Sequence, residues 1–138
     1  MRPGLLLDTH AAIWIAKDEP IHDEAADALS EAVDQGWPVL VSPITAWEIG
    51  LLVAKSRISL ALNPQDFFEG LLGLNGIELA PMPPTLLIES SFLPGAPPND
   101  PADRILAATA RREGYRLVTR DRALLSYAEA GHIRAVPC

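Results

Sequence analysis

The chain has 138 residues, 49% of them hydrophobic, with a formal net charge of −7 and a mean hydropathy of +0.14. That is enough for one domain, residues 1–138, with a sizeable core, and no segment is long and apolar enough to span a membrane. Cys138 is the sole cysteine, so an internal disulfide is excluded, in keeping with a reducing compartment.

The first sixteen residues superficially imitate a signal peptide, but Asp8 and His10 interrupt the apolar run, and a cytoplasmic protein is expected. Charge is unevenly spread. Residues 1–35 hold eight acids against Arg2 and Lys17, whereas residues 104–134 hold seven arginines against Glu113, Asp121 and Glu129. A polyanion would meet an arginine-rich face on an otherwise acidic body, unless those arginines are only a solvated surface.

Gly4 to Leu7 is a short apolar run ending at Asp8, and Thr9 to Lys17 follows with helical spacing: strand, acid, helix. Trp14 and Ile15 are read as core. His10 has no Cys or His at ligand spacing, which argues against zinc. Residues 21–35 read as an acidic amphipathic helix with Ala25, Ala28, Leu29 and Val33 inward, closed by Gly36. Pro38 to Val41 is a second strand, and Ser42-Pro43 opens a helix. On it Ile44, Trp47, Leu51 and Leu52 form an expected apolar stripe with Glu48 inside it. A carboxylate on a buried face is costly unless it is paired or coordinates a metal; the competing reading is a capping box, Thr45-x-x-Glu48.

Pro64 to Leu72 reads as a helix whose Phe67, Phe68, Leu71 and Leu72 supply core or a dimer surface. Ile77 to Ala80 is a third strand, Pro83-Pro84 opens a short helix through Ser91, and Leu93 to Pro98 is an irregular loop. Asp100-Pro101 then starts a helix with an acid at the N-cap and proline at the first position, and Gly114 closes it. Asp103 falls in the first turn, in line with Leu106, Ala107 and Ala110. Arg116 to Thr119 is a fourth strand, with Asp121 just beyond it. A short helix to about Glu129 and a strand over 133–136 complete the chain.

Taken singly, Asp8, Asp100 and Asp121 could each be no more than a helix cap. Taken together, Asp8 and Asp121 end strands, Asp103 begins a helix and Glu48 faces inward, so a parallel sheet with covering helices would gather them at one edge. Two unit charges about 4 Å apart repel by about 4 kcal/mol at an effective dielectric of about 20. A divalent cation would relieve that. Hard oxygen donors without a Cys or His cluster suit Mg²⁺ or Mn²⁺, and the matching chemistry is metal-assisted phosphodiester hydrolysis.

The blocks LLLDTHAAIW, VSPITAWEIGLL, NDPADRILAATA and LVTRD, in this order over nearly the whole length, resemble the PIN-domain ribonucleases, specifically the VapC-type toxins of toxin–antitoxin pairs. The resemblance implies a three-layer α/β/α sandwich around a parallel sheet of about five strands, usually dimeric. It implies Asp8, Glu48, Asp103 and Asp121 as the acidic metal site, with Thr119 beside it, and Thr9, Asp100 and Arg104 as helpers, Arg104 orienting an acid or contacting phosphate. It further implies an RNA substrate and a small antitoxin that places a basic side chain in the acidic pocket. One departure stands out: where many relatives carry a His shortly before the D-P-x-D segment, this chain has Pro97-Pro98-Asn99. From the charge distribution, Arg112, Arg116 and Arg120 are candidate RNA contacts.

Two rival readings follow from the same residues. A receiver-like phosphoacceptor domain would need an adjacent acidic pair after the first strand and a late lysine, and the chain has Asp8-Thr9 and no lysine beyond Lys55. A catalytically silent PIN-like RNA-binding or assembly module would use the same fold and arginines, but would not need all four acids.

Overall fold

The computed structural model describes residues 3–138. Among these residues five parallel strands form one sheet: β1 (Leu5–Leu7), β2 (Val39–Val41), β3 (Ile77–Leu79), β4 (Arg116–Thr119) and β5 (Arg134–Pro137), in the spatial order β3-β2-β1-β4-β5. Leu5, Leu6 and Leu7 of β1 pair with 39–41 on one side and with 116–118 on the other. All three are fully buried, as expected of a central strand covered on both faces. The edge strands are weaker: β3 exposes Glu78 and Leu79, and β5 ends in Pro137, which costs no ladder bond at an edge.

Among the described residues seven helices fill the crossovers: α1 (Thr9–Ala16), α2 (Asp23–Gln35), α3 (Pro43–Ala54), α4 (Pro64–Leu72), α5 (Pro84–Glu89), α6 (Pro101–Glu113) and α7 (Arg122–Glu129). Strand alternation divides the core in two. Leu5, Leu7, Val39, Val41 and Val118 pack against Ala11 and Ala12 of α1, Ala25, Ala28 and Ala32 of α2, and Leu71 of α4. Leu6, Leu40 and Leu117 face Leu106, Ala107 and Ala110 of α6 and Leu124 and Tyr127 of α7. The three layers expected from the sequence are therefore present. No helix among the described residues is long and apolar enough to cross a membrane.

Helix boundaries follow local chemistry. Ser42 caps α3 by accepting from the Ile44 N–H, with Pro43 in the first turn. Gly36 and Gly114 end α2 and α6 at φ +70° and +75°, a backbone region that glycine enters without steric cost. Two inward assignments are corrected. Val33 is exposed and Ala32 takes its place against the sheet, while on α3 the buried residues are Thr45 and Ile49, and Trp47 is 56% exposed. Phe68, Leu71 and Leu72 of α4 join the core.

Candidate active site

The strand order reverses between β1 and β4, and at such a switch point the loops leaving the two strands diverge and open a crevice at their C-terminal ends. Asp8 follows β1 there and Asp121 follows β4. The N-terminus of α6 brings Asp100 and Asp103, and α3 brings Glu48. Together with Thr9 and His10 these five acids line one cleft of about 190 Å³.

Four of the five carboxylates, those of Asp8, Asp121, Asp100 and Glu48, are held by hydrogen bonds. Asp8 caps α1, its Oδ1 accepting from the Ala11 N–H at 2.8 Å, while Oδ2 accepts from the Thr119 hydroxyl at 2.5 Å. Thr119 Oγ1 in turn accepts from the Asp121 N–H at 3.0 Å, so one hydroxyl ties the ends of β1 and β4 together. Asp121 caps α7 through the Leu124 N–H, and Asp100 caps α6 through the Asp103 N–H, both at 3.0 Å. The Thr9 hydroxyl donates to Glu48 Oε1 and lies 3.3 Å from the buried Thr45 hydroxyl. Glu48 is thus no capping-box carboxylate: Ser42 is the N-cap, and Glu48 lies half-buried in the cleft beside Thr45 and Ile49 instead of in a stripe with Trp47.

The electrostatics are those of crowded, poorly solvated acids. Burial pushes the Asp8 carboxyl above its ordinary 3.8, against the lowering effect of the Thr119 and Ala11 hydrogen bonds. Burial likewise raises Glu48, opposed by its bond from Thr9. Asp103 is pushed up to about 7, first by burial and then by Asp121, Asp100, Glu48 and Asp8. Among the described residues none of the five acids is in a salt bridge with Lys or Arg.

No three His, Cys, Asp or Glu side chains among the described residues form a ready-made metal cage. The donor set nevertheless fits a hard divalent cation. It is all oxygen, it is negative, and Mg²⁺ in particular keeps several waters and takes only one or two carboxylates directly. Asp8, Glu48, Asp103 and Asp121 are the residues that could hold it.

The other expected residues divide. Arg104 does not turn to an acid: its Nε donates to the Ser90 carbonyl at 2.9 Å, and its Nη atoms to those of Pro98 at 3.1 Å and Ser91 at 3.3 Å. It pins both ends of the loop that delivers Asp100, and the Tyr127 hydroxyl holds the middle of it through the Pro94 carbonyl at 2.6 Å. Arg112 sits on the last turn of α6, about 14 Å along the axis from Asp103, where it meets Glu89 at 3.3 Å and Thr85 at 3.0 Å. Arg116 opens β4, at the end of the strand away from the cleft. Arg120 alone of the three stands at the acidic edge, its Nε donating to the Cys138 carbonyl at 3.0 Å. Sequence reasoning weighed Thr45 only as a capping-box partner of Glu48, whereas its buried hydroxyl lies beside that of Thr9, and it gave Tyr127 no role.

The PIN domain family matches residues 5–130. The chain is 33% identical over 123 residues to Ribonuclease VapC22 of Mycobacterium tuberculosis (strain ATCC 25618 / H37Rv), covering 89% of this chain and 91% of that protein. Its fold is similar to that in the crystal structure of VapBC2 from Rickettsia felis bound to a DNA fragment from their promoter, with a TM-score of 0.65 and 15% identity over 97% of this chain and 98% of that one. It is also similar to FitAcB from Neisseria gonorrhoeae, with a TM-score of 0.56 and 20% identity over 95% of each chain. With a switch-point acidic cleft on a five-stranded parallel sheet and a family match across most of its length, the chain belongs to the PIN-domain family.

Proposed function

We propose that this chain is a metal-dependent endoribonuclease, a VapC-like toxin that hydrolyses RNA phosphodiester bonds in the cytoplasm and is restrained by a cognate antitoxin. The observation that carries the reading is the cleft itself: five acids on four elements, none in a salt bridge to Lys or Arg among the described residues, with Asp103 raised to about 7. A likeness to a protein named as a ribonuclease supports RNA as substrate. The same acidity explains why a partner's basic side chain would seat there and exclude the cation.

Within this reading Asp8, Glu48, Asp103 and Asp121 hold Mg²⁺ or Mn²⁺. A divalent cation would supply the Lewis acidity that makes water a nucleophile near neutral pH and that offsets charge on the leaving oxygen. The protein's part is positioning. Thr119 and the Ala11 N–H fix both oxygens of Asp8, Thr9 fixes Glu48, and the Arg104 clamp sets the loop from which Asp100 and Asp103 enter. Arg120 is the arginine placed to meet the RNA backbone at the cleft, with Arg112 and Arg116 reaching it only if the RNA extends along the body. Leu87, Ile88 and Phe92, exposed on and just after α5, supply an apolar surface for a homodimer.

The test is cleavage of RNA by purified protein with Mg²⁺ or Mn²⁺, with EDTA, and by Asp8→Asn. Lewis-acid stabilisation is worth several kcal/mol, so EDTA and Asp8→Asn should each lower the rate by about a thousandfold or more. Undiminished cleavage in either would sink the reading, and RNA binding without any cleavage would favour the silent module.

A further inference from the structure

The acids of the cleft stand on separate elements, so their mutual positions are set by whatever joins those elements. Asp100 and Asp103 enter at the N-terminus of α6, behind the segment 90–99, and Asp121 caps α7. Three residues of that segment, Pro94, Pro97 and Pro98, have no N–H to give, so side chains of other elements have to hold it. Arg104 holds its two ends. Its middle is docked on α7. Tyr127, buried in the core with Leu106 and Leu124, donates its hydroxyl to the Pro94 carbonyl at 2.6 Å. The same ring stacks on His132, with centroids 4.8 Å apart and planes at 30°. His132 is held in turn, its N–H donating to the Tyr127 carbonyl at 3.3 Å and its carbonyl accepting from Arg111 at 2.8 Å. Gly95 lies against that imidazole. A Cβ at Gly95 would overlap Nε2 and come to 3.0 Å from two ring carbons, and its φ of +71° is one that glycine enters without steric cost.

We propose that Tyr127, His132 and Gly95 form a seat that fixes Asp100 and Asp103 against Asp121, which makes Tyr127 and His132 positioning residues for the cation. The proposal rests on the metal reading of the cleft and extends it to side chains that do not line the cleft. Tyr127 stands six residues after Asp121, about 9 Å along the axis of α7. One rigid helix therefore carries an acid at its start and the anchor of the segment on its side. A shift of the segment relative to α7 becomes a shift of Asp103 relative to Asp121. Mg²⁺ demands near-ideal octahedral geometry with short bonds to oxygen, so acids on two elements serve one cation only if the elements are held in register. Two acids crowded together also repel, and without an anchor that repulsion would push the segment outward.

The experiment is calorimetric titration of metal-free protein with Mn²⁺ in the absence of RNA, beside thermal melts in EDTA. The proteins are wild type, Asp103→Asn, Tyr127→Phe, Gly95→Ala and the double variant Gly95→Ala/His132→Ala. Asp103→Asn marks a loss at the cleft itself. Tyr127→Phe keeps the buried ring and its stack, and the exposed Pro94 residue can turn its carbonyl to water, so the melt in EDTA should move little. Its Mn²⁺ affinity should nevertheless fall about tenfold, the lower end of the cost of losing a group that orients a ligand. Gly95→Ala should lose at least as much, and the double variant should recover part of that loss, because removing the imidazole opens the space the Cβ needs. Wild-type affinity in either Tyr127→Phe or Gly95→Ala, whatever the melting temperature, would overturn the seat and leave the metal centre intact. So would a double variant no better than Gly95→Ala. Wild type binding Mn²⁺ no more tightly than Asp103→Asn would overturn the metal reading and the seat with it.

Discussion

α6 and β4 each have one end at the acidic cleft and the other among arginines, and the two ends are charged in opposite ways with opposite degrees of satisfaction. At the far end Arg111 donates to the His132 carbonyl at 2.8 Å, Arg134 donates to the Gly114 carbonyl, and Arg112 meets Glu89 and Thr85. Arg111 and Arg112 also occupy the last turn of α6, where the helix dipole favours cations. Those charges are answered within the chain. At the cleft end, Asp8 and Glu48 accept only from hydroxyls and a backbone N–H, the acids repel one another, and the carboxyl pKa values of Asp8, Glu48 and Asp103 are all raised. A charged region that is already balanced supports a structural role. One that is left unbalanced, at the position where α/β sheets bind ligands, supports a functional one.

The largest expected effect short of removing an acid comes from the hydroxyl that joins the two strands. Thr119→Val keeps the shape of a fully buried side chain but deprives Asp8 of its Oδ2 partner. Metal affinity, read by titration, and cleavage rate should fall roughly tenfold to a hundredfold, the usual cost of losing a group that orients a ligand. An unchanged metal affinity would make Thr119 a packing residue only.

Smaller, and sharper as a contrast between the two ends, is the salt dependence of RNA binding. Arg120→Gln should lower the slope of log affinity against log salt by about one contact. Arg112→Gln should change it less, because that guanidinium is engaged by Glu89 and Thr85. The reverse order would move the RNA path to the far end of α6.

The smallest signal is in the pH dependence of stability without metal. Asp103 has a folded-state value of about 7 against an ordinary 3.8, so between those limits the folded state binds more protons than the unfolded one. Its contribution to stability is fully present below about 3.8 and is lost as pH rises through about 7. Asp8 and Glu48 shift in the same direction. In EDTA, melts should therefore shift down between about pH 4 and pH 8, and Asp103→Asn should flatten that decline; a melting temperature that rises across the window would contradict it.

Much of this was legible from residue order, for reasons that differ by element. Asp100-Pro101 with Gly114, and Asp121 after an apolar run, are local punctuation, and α6 and α7 begin where that punctuation puts them. The strands end within a residue or so of expectation because acid and turn residues bound each apolar run. α3 misled because nearly every position on it is apolar, so periodicity selects no face; packing against α1, α4 and α6 chose Thr45 and Ile49 and left Trp47 outside. On α2 the sheet is approached by alanines, and Val33, although apolar, lies off that face. Glu48 points into the cleft, but the bond that holds it comes from Thr9, 39 residues away, and no spacing rule reaches that far. The Arg104 clamp and the Tyr127, His132 and Gly95 seat are likewise products of tertiary placement.

The most direct test of the unbalanced cleft is a thermal melt of wild type and Asp103→Asn at about pH 8 across a titration of Mg²⁺ or Mn²⁺. In EDTA the variant, with one repelling charge removed, should melt at the same temperature as wild type or higher. As metal rises the order should reverse, because wild type keeps its full ligand set and gains about 2.7 kcal/mol at about a hundred times Kd. Two curves that stay parallel throughout would contradict a cation-binding role for these acids.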